Sequence, residues 1–287
     1  MIELPETYVI SGQINETLAG KTVKSAVANA HPHAFAWYSG DPASYSAKLA
    51  GKTLISSNPG TGYTCGGNTE VSFGSPGARR AEDGDTLVVL STPVKYHEPG
   101  AKLPAKHQLL IAFNDGSHMS CTVQMWGAMF CYTLADESLP DGYSVKKSPV
   151  PFDDAFDRAY FDALWDGVKP NLSVKAFLAT EQRIPGFGNG VLQDVLWNAK
   201  THPKRKLQDM DGGDRDRILS SVKSTLHAMR MQGGRDTERD LYGNKGGYKT
   251  VLSANTLKNP CPACGGRLIR EAYLGGNIYY CPVCQPL

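Results

Sequence analysis

The sequence lacks the features that mark a membrane or secreted protein. No apolar run approaches the roughly 20 residues that a membrane-spanning helix needs. The first residues, Met-Ile-Glu-Leu-Pro-Glu, contain neither the basic segment nor the apolar segment of a secretory signal. Internal repeats and low-complexity tracts are also absent from the sequence. We therefore expect a cytoplasmic protein with an ordinary packed core.

An excess of charge of one sign is also absent. The 30 Lys and Arg residues and 28 Asp and Glu residues leave a net charge of +2, so a polyanion would have to bind at local clusters of cations. The seven cysteines are an odd number, which argues against a fully disulfide-bonded scaffold. Cys121 and Cys131 lie among apolar residues and are expected to pack as small hydrophobic side chains. Cys65 lies in a Gly-rich loop, where a bystander thiol is favoured over a reactive one.

The other four cysteines form two CxxC pairs near the end of the sequence. Sixteen residues separate Cys261 and Cys264 from Cys281 and Cys284, and this spacing is typical of a zinc site with four thiolate ligands. Four ligands close the coordination sphere, so we expect one structural Zn²⁺ and look elsewhere for function. Two disulfides, or free thiols in a core, are the weaker alternatives.

The first 135 residues or so have a mostly β pattern. Runs rich in β-branched and apolar residues predict strands, and Asn114-Asp115-Gly116 is a strong hairpin signal. The predicted elements are a helix within Ile2–Gly20, strands at Thr86–Leu90 and Gln108–Phe113, a long strand over Met119–Leu134 bent near Gly127, and loops around short strands over Asn58–Gly77.

From Pro151 onward, apolar residues recur at helical spacing. Four helices are predicted: one within Asp153–Trp165, one around Val174–Leu178, one around Val191–Leu196, and one capped by Asp214 and ended by Gly233-Gly234. The second and third are joined by Gln182-Arg-Ile-Pro-Gly-Phe-Gly-Asn-Gly190. Glycines let a backbone approach a ligand closely, and the N–H groups at a helix start suit a phosphate.

Asn189, at the end of this turn, could both cap the third helix and donate to a phosphate oxygen. Positive charge follows shortly after it, at Lys200, Lys204, Arg205 and Lys206. Taken alone, however, the turn is a weak signal, and a purely structural corner between two helices is the favoured interpretation.

In combination, three features resemble the formamidopyrimidine-DNA glycosylase / endonuclease VIII (Fpg/Nei) family. They are the N-terminal Glu3-Leu-Pro-Glu6, the Gly-rich turn, and a four-cysteine finger ending Tyr-Tyr-Cys-Pro-Val-Cys-Gln, in that order along the whole chain. The resemblance implies an α+β fold. Residues 1–135 would form an N-terminal helix and β-sandwich, 150–235 a helix–two-turn–helix domain, and 236–287 a connector with a β-hairpin zinc finger.

Family members excise oxidised bases from DNA and nick the abasic site. The amine of an N-terminal proline attacks C1′ of the flipped-out nucleotide, and the next carboxyl group shuttles protons. By position, the resemblance assigns the amine to Ile2, proton transfer to Glu3, and positioning of the terminus to Glu6. The candidate DNA contacts are Gly188 and Asn189 in the Gly-rich turn and the cations that follow it, Lys200, Lys204 and Arg205. The implied partner is damaged or abasic duplex DNA, bound by a monomer without membrane contact and, in a bacterium, at the nucleoid.

The sequence also departs from the family. Ile2 replaces the proline, and because a bulky second residue hinders removal of the initiator methionine, we expect Met1 to stay. If Met1 stays, the primary amine lies one residue too far out; if Met1 is removed, the Ile2 amine could act. Asn68 stands where the β-domain carries a lysine, and Gly276 stands where the finger carries a DNA-contacting arginine. The segment that fills the gap left by the flipped base becomes Gln124-Met125-Trp126-Gly127, for which core packing is favoured over a role as a wedge.

Three hypotheses follow. The first is a DNA glycosylase, with AP-lyase activity through Glu3 and an unusual N-terminal amine. The second is a protein of the same fold that binds damaged or structured nucleic acid without cleaving it, which the lost proline and cations favour. The third is a structural or protein-interaction module, which the near-neutral charge keeps open. For residues 235–259, a solvated insertion is favoured over a loop that contacts DNA.

Overall fold

The computed structural model of the protein describes residues 2–60, 67–135 and 148–287. Met1 and Cys65, on which two of the sequence predictions depend, lie outside these ranges. Within them, no helix is both long enough and apolar enough to cross a membrane. The helices are α1 (Leu4–Leu18), α2 (Tyr45–Leu49), α3 (Arg158–Ala163), α4 (Asn189–Asn198) and α5 (Gly212–Met231). The strands are β1 (Val23–Ala28), β2 (Ala36–Tyr38), β3 (Thr53–Gly60), β4 (Asn68–Gly74), β5 (Thr86–Leu90), β6 (Val94–His97), β7 (Leu109–Phe113), β8 (His118–Cys121), β9 (Gly127–Thr133), β10 (Ile269–Tyr273) and β11 (Gly276–Tyr280).

Helix α1 confirms the predicted N-terminal helix. Pro5 lies in its first turn, where the fixed φ of proline suits a helix and the missing N–H costs nothing. Glu6 accepts a hydrogen bond from the backbone N–H of Glu3 at 3.1 Å, which satisfies one donor at the helix start. Ile10, Ile14 and Leu18 recur at helical spacing and are buried. The helix therefore packs one apolar face onto the sandwich.

Two β-sheets form the sandwich. One has four strands in the order β1-β7-β8-β6, and the other has five in the order β2-β9-β5-β4-β3. Strands β7 and β8 are joined through the predicted turn at Asn114-Asp115-Gly116, with Phe113 N–H donating to Ser117 O at 2.9 Å. The facing side chains of the two sheets, among them Val71, Val88 and Ile111, make one buried cluster that also contains Cys121 and Cys131. The α+β fold class is confirmed.

One prediction for the sandwich was wrong. The single bent strand over Met119–Leu134 is two strands in different sheets, β8 and β9, because the chain crosses from one sheet to the other before Gly127. A Cβ at Gly127 would lie 2.8 Å from the Cβ of Thr92, so only glycine fits this crossing. The loops around short strands predicted over Asn58–Gly77 agree with the described residues there, which include the end of β3 and all of β4, paired in a register that joins Gly60 to Asn68.

The helical part differs from its prediction mainly at helix ends. Helix α3 begins at Arg158 rather than near Asp153, because the Asp157 side chain caps it by accepting from Tyr160 N–H. Helix α5 is capped by Asp211, while Asp214 lies one turn in and accepts from the Asp211 backbone. The predicted second helix is a short π-helical turn, Ala176–Thr180.

Leu4 and Leu241 connect the two parts of the molecule. Leu4, from α1, packs into the core of the helical part, where it joins residues from Val150 to Met229. Leu241, from the connector, packs into the core of the sandwich. The N-terminal segment is thus held between two hydrophobic cores, and any site built there has rigid walls.

The connector is packed rather than solvated, contrary to the favoured prediction. The backbone N–H groups of Val251 and Leu252 donate to the Asp194 carboxylate of α4 at 2.9 and 2.7 Å. Leu252 then joins Leu268 and two of the finger cysteines in a small buried cluster. Strands β10 and β11 pair antiparallel and complete the finger hairpin. The connector therefore belongs to the same folded unit as the finger.

Candidate DNA interface and metal centre

The N-terminal segment is fixed on both sides by backbone hydrogen bonds. Ile2 O accepts from Gly67 N–H at 3.1 Å, and Leu4 N–H donates to Gly186 O at 2.9 Å. The side chain of Ile2 is 1% exposed and lies in the sandwich core. The expected position of the reactive amine therefore lies where the sandwich meets the Gly-rich turn of the helical part.

The Glu3 carboxylate lies at the start of α4. Its two oxygens accept from the backbone N–H groups of Gly190 and Val191 at 2.8 and 2.7 Å. N–H groups in the first turn of a helix lack a partner within the helix, and the positive end of the helix dipole favours an anion there. A Cβ at Gly188 would overlap the Glu3 side chain, so glycine is required for the approach. The predicted proton-transfer residue and the predicted DNA-contacting turn thus meet, although they are far apart in sequence.

Arg235 completes this junction, and no pattern in the sequence pointed to it. It is 2% exposed. Its Nε and Nη2 donate to the two oxygens of Glu6 at 2.9 and 2.8 Å, and its backbone N–H donates to the same carboxylate at 3.1 Å. Its Nη1 lies 3.3 Å from a Glu3 oxygen. One buried guanidinium therefore binds both motif carboxylates at once.

The electrostatics of this junction favour charged side chains. Burial by itself would raise the pKa of the Glu6 carboxyl, but the charge and hydrogen bonds of Arg235 bring that pKa below its usual value. Burial by itself would lower the pKa of Arg235, and the charges of Glu3 and Glu6 raise that pKa instead. The junction therefore keeps a buried ion cluster that links α1 to the segment following α5.

Asn189 is not the cap of α4, contrary to the prediction. Gly188 is the N-cap residue, and Asn189 is the first residue of the helix. Its Nδ2 donates to the backbone oxygen of Asn277, in the finger hairpin, at 2.9 Å. Its Oδ1 is buried and has no hydrogen-bond partner among the described residues. The Asn189 side chain therefore joins the turn to the finger and keeps one acceptor unused.

The cations predicted for DNA contact are engaged to different degrees. Lys200 is exposed, with its Nζ 4.5 Å from the ring centroid of Trp197. Lys204 forms an ion pair with Glu271 of the finger. Arg205 forms an ion pair with the buried Asp214 at 2.8 Å. Much of the charge of Lys204 and Arg205 is therefore offset by a carboxylate within the protein.

Lys175 is a second cation that the sequence prediction missed. It is 2% exposed, and its amine donates to the Tyr273 backbone oxygen in the finger. A Cβ at Gly276 would lie 3.7 Å from this amine. Burial lowers the pKa of the Lys175 amine below its usual value. A buried lysine amine thus lies beneath the hairpin turn, next to the position where the resemblance would place an arginine.

In the sandwich, the segment expected to pack in the core is partly exposed. Met125 is 72% exposed, so core packing was the wrong interpretation for this residue. The ring of Trp126 lies 5.8 Å from that of Trp37, which is itself 46% exposed. Asn68, in the expected lysine position, is 1% exposed and starts β4 beside the Gly67 backbone that binds Ile2. The sandwich therefore offers apolar and aromatic surface, rather than a cation, at these positions.

The four finger cysteines form a cluster that could hold a metal ion. Their sulfur atoms all lie within 4.8 Å of one another, and two of the pairs are 3.4 and 3.8 Å apart. Sulfur atoms bound tetrahedrally at about 2.3 Å would be about 3.8 Å apart, so the arrangement fits one ion. Separate disulfides would require much shorter contacts, of about 2.05 Å.

Proteins that are similar in sequence to this chain have a function that agrees with the geometry of the site. No protein-family model matches the sequence. The formamidopyrimidine-DNA glycosylase of Corynebacterium glutamicum strain R is 25% identical over 292 residues, which cover 99% of both chains. That of Mycobacterium sp. strain JLS is 29% identical over 303 residues, covering 100% of this chain and 98% of the relative.

Solved structures of formamidopyrimidine-DNA glycosylases (Fpg) have the same fold as this chain. The Fpg of Lactococcus lactis in complex with abasic-site DNA matches with a TM-score of 0.78 at 21% identity, over 99% of this chain and 100% of that one. The MutM (Fpg) protein of Thermus thermophilus matches with a TM-score of 0.74 at 19% identity, over 99% and 98% of the two chains.

The chain is similar to the formamidopyrimidine-DNA glycosylases along its full length. The similarity therefore does not depend on the finger alone.

Proposed function

We propose that this Fpg/Nei protein is a DNA base-excision repair glycosylase that binds damaged or abasic duplex DNA. The single observation that carries the proposal is the contact between Glu3 and the start of α4. It brings the expected catalytic carboxylate next to the turn expected to contact the DNA backbone. The protein would act as a monomer. Because its substrate is DNA, it would work at the chromosome, which in a bacterium lies in the cytoplasm.

The proposed chemistry requires an amine close to Glu3. An N-terminal amine attacks C1′ of the flipped nucleotide, the base leaves, and the resulting Schiff base leads to strand cleavage. A primary amine must be unprotonated to attack. Asn189 would position the phosphate next to the flipped nucleotide by donating an N–H of its side-chain amide.

We assign the ion of the finger as one structural Zn²⁺. Four thiolates select a soft ion, and a closed tetrahedral site leaves no position for a substrate. Cys261, Cys264, Cys281 and Cys284 would hold the ion and fix the hairpin whose Asn277 binds Asn189. The role of the ion would be to shape the DNA-binding surface.

Borohydride trapping on the zinc-loaded protein tests the proposal. Duplexes carrying an abasic site or an oxidised base would be incubated with the protein and reductant, and the intact mass would first show whether Met1 is present. A covalent protein–DNA adduct is expected with wild-type protein. The Glu3→Gln variant should trap more weakly, while Glu16→Gln, an exposed carboxylate change on the same helix, should trap as wild type does.

A non-catalytic binder of damaged nucleic acid is the second candidate, and one observation favours it. Both Glu3 oxygens are already occupied by backbone N–H groups, and Arg235 lies beside them, so the carboxylate serves as part of the scaffold. Specific binding to abasic duplex without any trapped adduct would select this candidate. The absence of both binding and adduct would rule out both candidates.

A further inference from the structure

The connector and the finger enclose a basic groove that the family resemblance does not assign. The groove has a volume of about 710 Å³. Among the residues that line it, the charged side chains are those of Lys258, Arg267 and Arg270. All three residues are exposed. We call this feature the finger groove.

The surrounding segment gives the finger groove a local excess of positive charge. Residues 244–287 contain five Lys or Arg residues and one acidic residue, Glu271. This excess is larger than the net charge of +2 of the whole chain. Because Glu271 is paired with Lys204, it does little to offset the groove cations. The finger and the last part of the connector, residues 244–287, therefore form the local cationic cluster that a near-neutral protein needs to bind a polyanion.

The finger groove is continuous with the candidate DNA interface. Arg270 Nε donates to the side-chain oxygen of Asn277 at 3.1 Å. The backbone oxygen of the same residue accepts from Asn189 at 2.9 Å. Asn277 therefore contacts both residues, and a DNA strand that passes the Asn189 turn would next reach Arg270.

We propose that Lys258, Arg267 and Arg270 bind the phosphodiester backbone of duplex DNA outside the lesion, and extend the interface from the Asn189 turn across the finger. This inference rests on the proposed function, because it requires that the protein binds DNA. Exposed, hydrated cations spread along an open groove suit a row of phosphates, whose binding releases counterions. A small anionic ligand would instead need buried donors that converge on one point.

The salt dependence of DNA binding tests the inference. The zinc-loaded, full-length protein would be titrated by fluorescence anisotropy against a duplex of about 30 base pairs with a central tetrahydrofuran abasic analogue, over a series of salt concentrations. Each lost phosphate contact lowers the slope of log K against log salt by about 0.9. The triple variant Lys258→Ser, Arg267→Ser, Arg270→Ser should therefore lose about 2.7 from the slope. The double variant that keeps Arg270 should lose about 1.8, which shows that the effect does not come through Asn277.

A matched control separates groove contacts from net charge. Lys24→Ser, Arg79→Ser and Lys102→Ser remove the same charge from exposed positions in the sandwich, and this variant should keep nearly the wild-type slope. Equal slopes for the groove and control variants would overturn the inference while leaving the proposed function intact. A wild-type protein that binds no DNA would defeat the proposed function itself. Circular dichroism and zinc content would confirm that every variant is folded.

Discussion

The N-terminal junction and the finger groove use charge in opposite ways. At the junction, Arg235, Glu3 and Glu6 are almost completely buried, and each is matched by a charged partner. In the groove, Lys258, Arg267 and Arg270 are exposed, and acidic side chains are absent from the described lining. The first arrangement fixes the relative position of α1 and α4, and the second leaves cations available to a ligand.

This difference separates residues that build the site from residues that would meet DNA. A buried ion cluster is costly to desolvate and costly to break, so it serves geometry better than binding. Exposed cations contribute little to folding, yet each can release counterions when it meets a phosphate. Glu3 and Glu6 therefore belong mainly to the scaffold, whatever part Glu3 takes in proton transfer.

Removal of zinc should give the largest effect. It should unfold the finger region and leave the N-terminal junction folded. Metal binding and folding are coupled in small four-ligand sites, with apparent free energies of about 10–16 kcal/mol. Chelation should unfold the hairpin and the connector that shares its core through Leu252 and Leu268. Hydrogen exchange followed by mass spectrometry would show loss of protection over residues 250–287, while α1 and β3 stay protected.

Re-addition of Zn²⁺ should restore protection and the salt slope of DNA binding together. Protection that persists in chelator would show that the finger folds without an ion. Loss of protection across the sandwich as well would show that the two regions are not separable.

Replacement of Arg235 should give the next largest effect, because it leaves two buried carboxylates without their cation. Breaking a buried ion pair by removing one partner costs about 3–5 kcal/mol. We expect Arg235→Met to lower the free energy of unfolding by this amount in urea titrations. Arg235→Lys, which keeps the charge but loses the paired geometry, should fall between wild type and Arg235→Met.

Arg239→Met provides the matched control. Arg239 is exposed and donates to the backbone oxygen of Gly243 at 2.6 Å. Its replacement should change the free energy of unfolding by no more than about 0.5 kcal/mol. Similar losses for the two variants would show that the Arg235 cluster has no special role in the fold.

These two regions also differ in how far the sequence predicted them. The CxxC spacing and the helical spacing of Ile10, Ile14 and Leu18 are local patterns, and they predicted the cysteine cluster and the N-terminal helix. The N-terminal motif, the Gly-rich turn and the finger are also local patterns, and together they predicted the similarity to the Fpg/Nei family. Arg235 carries no local signal, because its partner Glu6 lies 229 residues away in sequence. Pairing over such a separation depends on the tertiary fold, which periodicity does not report.

The connector illustrates the same limit. A solvated insertion was the favoured prediction for residues 235–259, yet Asp194 binds two of their backbone N–H groups and Leu252 is buried with the finger. Likewise, Lys204 was predicted to contact DNA because of its charge alone. The sequence did not show that Glu271, in the finger hairpin, would form an ion pair with it. Composition identified the charges in these segments but not their partners.

A smaller effect should come from Glu6 and should depend on pH. The folded-state pKa of Glu6 is below its usual value of 4.5, so the ionised carboxylate stabilises the fold fully above pH 4.5. This contribution is lost as the pH falls through the folded-state pKa, because the carboxylate then becomes protonated and loses its attraction to Arg235. We expect Glu6→Gln to cost about 1–3 kcal/mol at neutral pH.

The gap in unfolding free energy between wild type and Glu6→Gln should therefore narrow as the pH falls below 4.5. Urea titrations at a series of pH values would measure it, with exposed Glu16→Gln as the control for the same change of charge on α1. A gap that is constant with pH would show that Glu6 acts through shape and hydrogen bonding rather than charge. A narrowing gap would show that the junction, unlike the finger groove, uses its charges to hold the fold.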